Sequence, residues 1–257
     1  MVNVLLLTIA VILIAFFSSL TGIGGGILYL PLFVFFGFNI WEAASLSIFL
    51  TFVTALVTSA FFFKHVHVTL KTIYLLELFS FLGAFIGGLY CVYLDLYTLF
   101  IIYIAYSLST LILYKIILVY LKSSTKHFLQ ELTEASIINM ILGILYGLTA
   151  VAGSSIRIPQ YFKRYQIPYR TAIATSSLSM LIVSLGALSG RLFHLTFDIK
   201  LAVFCTMLIL SPAALGATLA LKVTRKLIIN ATYLFYNIIV LTNFILVIKL
   251  ISMHLDH

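Results

Sequence analysis

The sequence is poor in charged residues and in cysteine, and it lacks common catalytic motifs. Charged residues make up 9% of the 257 positions, against 63% hydrophobic ones, and this composition excludes an ordinary soluble domain. Cys91 and Cys205 are isolated and form no C-x-x-C pair, which argues against a thiol redox relay and a cysteine metal site. G-x-S-x-G, H-E-x-x-H and paired carboxylates within the apolar runs are missing, which argues against an intramembrane enzyme.

Long uncharged runs fill most of the chain instead. A run of roughly 20 apolar residues can span a hydrocarbon core of about 30 Å. We predict an all-α integral membrane protein with about eight long transmembrane helices and two short half-helices. The first run lacks the basic region and cleavage site of a signal peptide, so we expect it to remain as a helix. The runs are 1–41, 43–63, 78–94, 96–114, 135–156, 171–190, 201–221 and 227–248.

The two halves of the chain match each other. A shift of 128 positions places Leu20, Thr21, Gly25, Pro31 and Ala44 on Leu148, Thr149, Gly153, Pro159 and Ala172. Neighbouring shifts of 127 and 129 continue the match. We predict a first repeat at 1–121, a linker at 122–134 and a second repeat at 135–257, within one transmembrane domain.

Each repeat is predicted to contain a long helix, a break, a half-helix and three further spans. The first repeat has these helices at 2–21, 27–37, 42–63, 72–92 and 97–121. The second has them at 135–152, 156–165, 171–190, 199–221 and 227–250.

Charge placement indicates that the second repeat is inverted. If each half-helix returns toward the side from which its long helix came, each repeat crosses the membrane an odd number of times. One side then receives Lys64, Lys71, Lys122, Lys126, Lys163, Arg164, Arg170, Lys222, Arg225 and Lys226, and the other receives Arg191, Lys200, Glu42 and Asp95. The positive-inside rule makes the first side cytoplasmic. Both termini are therefore predicted to lie outside a cell membrane.

The breaks indicate buried anion-binding sites. A break in lipid exposes unpaired backbone groups, so it is tolerated only where protein or a water-filled cavity covers it. A half-helix N-terminus offers free N–H donors and about half a positive charge, which suits an anion. The candidate binding residues at the breaks are Thr21, Gly22, Gly24, Gly25, Gly26, Gly153, Ser154 and Ser155, and Pro31 and Pro159 are assigned to helix breaking.

Further candidates lie near the breaks. Arg157, which aligns with Tyr29, either enters the cavity and pairs with an anion or extends to lipid headgroups. Glu77 is a candidate for proton coupling, although Lys71 nearby favours an interfacial position. Hydroxyls of the following helices either line the pathway or bond to their own helix. These are Ser47, Thr175, Ser176 and Ser177, with Ser45 and Thr51 in matching positions.

Other residues are assigned to packing and to the surface. Gly83, Gly87, Gly88, Gly186 and Gly190 are predicted to let helices approach closely. His65, His67 and His194 are most simply loop residues, and no metal or cofactor is predicted. The net charge of +8 is spread over helix ends, so no nucleic acid is predicted as a partner. Lys222, Arg225 and Lys226 are expected to meet anionic headgroups.

The motifs resemble those of a known family. G-x-G-G-G-x-x-x-x-P at Gly22–Pro31, its weaker copy at Gly153–Pro159, and the A-x-x-S and A-x-A-T-S patterns at 44–47 and 172–176 are similar to those of the sulfite exporter TauE/SafE permeases. The resemblance covers nearly the whole chain. It implies transport of small anions, mostly sulfur oxoanions or sulfonated and carboxylated organic acids. Gly153 to Ser155 departs from the family's usual glycine run.

These observations predict a secondary transporter that moves a small anion, such as sulfite or an organosulfonate, by alternating access around a midplane site. An uncoupled anion channel and a transporter of small carboxylates are the alternatives. The expected partners are the small anion, the lipid bilayer and, in a coupled mechanism, a proton. The direction of transport and the oligomeric state are not predicted.

Overall fold

The computed structural model describes residues 4–66, 70–120, 128–151, 153–163, 167–194 and 197–255. In these ranges the chain is almost entirely helical, with ten α-helices and short 3-10 helices at Cys91–Tyr93 and Leu192–His194. The α-helices are α1 (Val4–Thr21), α2 (Gly26–Phe35), α3 (Ile40–His65), α4 (Leu70–Tyr90), α5 (Leu96–Tyr120), α6 (Phe128–Thr149), α7 (Ser154–Lys163), α8 (Tyr169–Arg191), α9 (Ile199–Lys222) and α10 (Arg225–Leu255).

The predicted helices are all present, and the main difference is at the start of α6. This helix begins at Phe128, inside the segment 122–134 that was predicted to be a linker. The prediction placed the boundary where charged residues begin. Charge ends a membrane span, but Leu, Gln and Glu are good helix formers, so they can continue a helix beyond the apolar run.

Five helices in the described ranges are long and apolar enough to cross a membrane. They are Val4–Thr21, Ile40–His65, Tyr169–His194, Ile199–Lys222 and Arg225–Ile248. Shorter apolar helical segments occur at Gly26–Phe35, Glu77–Tyr93, Leu96–Thr110 and Ser136–Thr149. The chain is thus a multi-pass membrane protein, while the total of about eight spans stays a prediction.

Helix pairings in one half of the chain have counterparts in the other. Helix α1 packs along α9 and α6 packs along α4, while α3 contacts α9 and α8 contacts α4. The half-helices follow the same pattern, since α2 lies against α3 and α10, and α7 lies against α8 and α5. Helices α3 and α8 also pack against each other.

Glycines allow the closest of these approaches and fix the relative direction of the helices. A Cβ atom at Gly83 would collide with the carbonyl of Met140, and one at Gly87 would collide with the carbonyl of Ile144. Contacts that advance together along both helices show that α4 and α6 run parallel. Gly186 and Gly190 of α8 meet Phe81 and Phe85 of α4 in the same parallel sense. The assignment of these glycines to close packing is confirmed.

Helices α1, α3 and α9 run in the direction opposite to that of α4, α6 and α8. Ser19, near the end of α1, accepts a hydrogen bond of 2.9 Å from Thr58, near the end of α3. Gly216, near the end of α9, lies against Phe16 and Ser19 of α1. The start of α3 meets the end of α8, because Arg191 donates to Ser45 Oγ. Helices α1 and α6 therefore point in opposite directions.

Polar residues at three helix starts satisfy first-turn N–H groups. Asn39 accepts from Trp41 N, Asp198 accepts from Lys200 N, and Asp95 accepts from Thr98 N at 3.1 Å. The Thr98 hydroxyl also donates to Asp95, and these bonds to its ionised form hold the pKa of this exposed carboxyl below its usual value. Such caps end the preceding loops and begin α3, α9 and α5.

Candidate functional site

Both predicted breaks are real interruptions of the backbone. Helix α1 ends at Thr21, and Gly22 and Gly24 follow with φ of +71° and +83°. Helix α6 ends at Thr149, and Ala150 follows with φ of +60°. These left-handed values end a helix and are tolerated best by glycine. The second break therefore places a strained alanine where the first has glycine.

The two prolines lie inside the half-helices, so their assignment to helix breaking is wrong. Pro31 lies in the interior of α2, and Pro159 occupies the matching position of α7. A proline there has no N–H to donate to the carbonyl four residues earlier. For Pro31 that carbonyl belongs to Ile27, and it accepts instead from the Tyr103 hydroxyl at 2.7 Å. The proline is accommodated by a side chain of α5.

The two breaks contact each other. Ser154 Oγ at the start of α7 donates to the carbonyl of Ile23 in the first break. Ser176 Oγ on α8 donates to the carbonyl of Gly22 at 3.0 Å. Carbonyls freed by the first break are thus bonded by hydroxyls of the second half of the chain.

A small polar cavity lies beside the first break. Its volume of about 10 Å³ is room for one water molecule. Helices α1, α3 and α8 supply its other walls. The lining residues are Ser18, Gly22, Gly24, Thr51, Thr54, Ala55, Thr58, Ser177 and Met180.

Most hydroxyls around the cavity already donate to their own helix. Ser47 donates to Ala43 O, Thr51 to Ser47 O and Ser177 to Ile173 O. Thr21 likewise donates to Phe17 O. These four hydroxyls therefore bond within their own helices. Their oxygens can still accept a hydrogen bond, but donation to an anion would require a change of rotamer.

Several buried hydroxyls have no hydrogen-bond partner among the described residues. They include Thr175 Oγ1 and the phenol groups of Tyr29, Tyr106 and Tyr146. Tyr29 faces Thr54, and Tyr146 faces Thr51. The two threonines line the cavity, and neither tyrosine hydroxyl reaches hydrogen-bonding geometry with them. Tyr106 OH lies beside Gly153 in the second break. A buried unpaired hydroxyl is costly, which makes these groups available donors for a ligand.

Arg157 and Glu77 form a buried ion pair. Arg157 Nη1 lies 3.2 Å from Glu77 Oε2, and the residues are 2% and 0% exposed. The interfacial alternative for Arg157 and the interfacial position favoured for Glu77 are therefore wrong. Arg157 does not extend to headgroups, because a carboxylate from α4 meets it inside the protein. Lys71, six residues before Glu77, had favoured an interfacial position for this glutamate.

Further polar groups surround this pair. Arg157 Nη2 donates to Ser80 Oγ at 2.8 Å, and Tyr161 OH donates to Glu77 Oε1 at 3.2 Å. Tyr161 OH also lies 3.2 Å from Ser179 Oγ. Helices α4, α7 and α8 are thus joined by one polar network. Its tyrosine and serines carried no recognisable signal in the sequence.

Arg191 is a further buried residue whose position the sequence did not reveal. The distribution of loop charges predicts that Arg191 lies on the outer surface, but this residue is only 2% exposed at the end of α8. Its Nη2 donates to the carbonyls of Gly147 at 2.9 Å and Leu148 at 3.1 Å, and Nη1 donates to Ser45. Those carbonyls would accept from residues 151 and 152 in an uninterrupted helix. Arg191 therefore satisfies the end of α6 that the break leaves open.

The remaining assigned residues have varied positions. His65 contacts Phe61 O in the last turn of α3, His194 lies against Tyr93, and His67 is outside the described residues. Arg225 stacks over the ring of Phe162 at 4.2 Å, so it also binds α7 besides lying at the surface. The Ser155 side chain is outside the described part of the structure.

A multi-pass helical bundle with two interrupted helices that meet at a buried polar site defines a membrane permease. The chain belongs to the sulfite exporter TauE/SafE family, whose model matches residues 7–250. Members of this family are membrane transporters for small anions rather than enzymes. No curated protein and no solved structure matches the chain.

Gly26 is predicted to be essential for contact between the breaks. A Cβ atom there would collide with the carbonyl of Ala150, whereas one at Gly153 would meet its nearest neighbours at 3.4 Å. We expect Gly26→Ala to lower stability by about 1–3 kcal/mol because backbone must move. Gly153→Ala is the matched control and should change it little. Thermal unfolding in detergent measures both, and equal effects would contradict a close approach of Gly26 to the second break.

Arg191 is predicted to stabilise the second break. Arg191→Leu removes its donors from the carbonyls of Gly147 and Leu148, each of which should cost about 1–3 kcal/mol when buried and unpaired. Arg191→Lys keeps the charge but not the planar fork, so we expect partial recovery. The exposed Lys200→Gln is the control, and thermal unfolding is the measurement. A wild-type melting temperature in Arg191→Leu would contradict this role.

Proposed function

We propose that this permease moves a small anion, most simply a sulfur oxoanion such as sulfite or an organosulfonate, by alternating access around the two breaks. The observation that carries the proposal is the contact between the interrupted helices beside a hydroxyl-lined cavity. The Ser154 hydroxyl bonds the first break from the second, so movement of one half must alter the site. Coupled rearrangement around a central site is the principle of alternating access.

Electrostatics favours an anion at this site. The first bonded N–H groups of α2 are those of Leu28 and Tyr29, which leaves the earlier donors without helical partners. The helix dipole adds partial positive charge at the same place. Among the described buried side chains, Glu77 compensates Arg157, whereas Arg191 has no carboxylate partner. Arg191, bonded to the end of α6, adds positive potential near the breaks, which favours an anion there.

The size of the cavity favours a transporter over an open channel. Room for one water molecule beside the breaks is too little for an oxoanion. Admission of a substrate therefore requires helices to separate. Thr175 and the unpaired tyrosine hydroxyls would then become donors to the oxygens of the bound anion. Sulfonate and sulfite oxygens offer several acceptors for such donors.

The same contacts support an inverted arrangement of the repeats in the cell membrane. Helices α1, α3 and α9 run opposite to α4, α6 and α8, so the corresponding helices α1 and α6 point in opposite directions. With basic loops inside, both termini lie outside the cell. Burial of Arg191 removes one positive charge from the outer side and strengthens this charge asymmetry.

Thiol accessibility tests the inverted arrangement. The loop after α2 contains Phe38, and the segment before α8 contains the exposed Pro168. In a chain without its native cysteines, we expect an impermeant maleimide to label Phe38→Cys in intact cells but Pro168→Cys only after permeabilisation. The cysteine-free chain is the control for background labelling. Reaction of both positions from one side would overturn the arrangement.

Binding of an anion is the first test of the function. We expect an organosulfonate or sulfite to raise the melting temperature of the purified protein, and Thr175→Val to weaken binding by about tenfold or more, since a hydrogen bond to a charge is lost. Removal of an unpaired hydroxyl should leave the stability of the empty protein unchanged or higher.

Thr206→Val is a matched control, because that hydroxyl bonds its own helix on α9. Proteoliposomes then distinguish a transporter from a channel, since a transporter saturates with substrate concentration. Absence of stabilisation by every sulfur oxoanion, sulfonate and carboxylate at about millimolar concentration would contradict the proposed function.

A further inference from the structure

The ion pair between Arg157 and Glu77 is placed where it could act on a bound anion. Arg157 lies in the first turn of α7, three residues after Ser154, whose hydroxyl bonds the first break. Ser179, which meets the pair through Tyr161, lies two residues after Ser177 in the cavity wall. The pair is therefore about one helical turn from the site where the breaks meet.

The pair also has unused bonding capacity. Arg157 Nε is buried and has no hydrogen-bond partner among the described residues. Glu77 Oε2 accepts no hydrogen bond of good geometry, although it lies 3.2 Å from Arg157 Nη1. A purely structural pair would normally satisfy these groups, since unpaired buried polar atoms are costly. The guanidinium can therefore accept a second planar partner, such as an oxoanion.

We propose that the transported anion replaces Glu77 at Arg157, and that Glu77 takes up a proton when it is released. The step forms one O–H bond at the Glu77 carboxylate and breaks no covalent bond. Before it, Glu77 compensates the guanidinium, and after it the anion does. One proton thus accompanies each substrate anion. This inference deepens the proposed function and depends on it.

Burial makes the two events interdependent. An anion beside an ionised Glu77 would leave a net negative charge in the protein interior, and a protonated Glu77 without an anion would leave Arg157 uncompensated. An uncompensated buried charge costs several kcal/mol. The empty and the fully loaded states are therefore favoured over either half-loaded state. Coupling of this kind is reciprocal, so the proton must strengthen binding of the anion as much as the anion strengthens binding of the proton.

Among the described residues, the other groups near Glu77 do not replace it as the proton acceptor. Tyr161 on α7 already donates to Glu77, and Tyr106 on α5 lies near Arg157 at the second break. On the helices packed against α4, Tyr146 of α6 lies near Arg191 of α8. Arg191 lies beside Gly88, eleven residues after Glu77, or about 16 Å along the helix.

The test uses an alkanesulfonate, which stays ionised throughout the neutral pH range. For the wild-type protein we expect the Kd to fall by up to about tenfold for each unit by which the pH is lowered. Glu77→Gln, which imitates the protonated side chain, should bind tightly at every pH. In proteoliposomes carrying an internal pH dye, the wild type should move protons with the anion, whereas Glu77→Gln should exchange anion without moving protons.

Glu42→Gln is the control, because this carboxylate lies at the start of α3, away from the pair. If Glu77→Gln does not fold, the double variant with Arg157→Gln removes both charges and should bind weakly without pH dependence. Proton movement at the wild-type ratio in Glu77→Gln, or a pH-independent Kd in the wild type, would overturn the coupling. Saturable transport without protons would still leave the proposed function standing.

Discussion

Every feature of the site depends on satisfying the backbone groups that two breaks expose inside the membrane. Lipid offers no partners for free N–H and C=O groups, so the protein must supply them. Ser154 and Ser176 bond the carbonyls of the first break, and Arg191 bonds those at the end of α6. Ser154 and Ser176 belong to the second half of the chain, whereas the carbonyls that they bond belong to the first half. The two halves of the chain therefore stabilise each other at the point where the proposed alternating access would separate them.

The sequence predicted the helices and the breaks because both leave local signals. Uncharged runs mark spans, and a glycine run in an apolar segment marks an interruption, as at Gly22 to Gly26. The self-match of the chain also placed the breaks in corresponding positions, and the structure brings them into contact. The start of α6 was misjudged, because charge limits a membrane span and not a helix.

The buried charges could not be predicted in the same way, because their surroundings are set by distant parts of the chain. Arg191 follows an apolar run and therefore resembles an interfacial arginine, yet its acceptors are carbonyls more than forty residues earlier. Glu77 resembles an interfacial glutamate because Lys71 lies six residues earlier, and its partner Arg157 lies 80 residues later. Proline was misread as the cause of the breaks, since the hydroxyl of Tyr103 that accommodates Pro31 is also distant in sequence.

The two half-helices are built alike but carry different chemistry at matching positions. Tyr29 of α2 is neutral and buried against the cavity wall, while Arg157 of α7 is charged and meets Glu77. A symmetric pair of arginines would place two positive charges at one site and would bind an anion too tightly to release it. One arginine with its own carboxylate gives a site that is neutral when empty. In the proposed mechanism, this asymmetry between the two half-helices allows a single charged substrate to be bound and released.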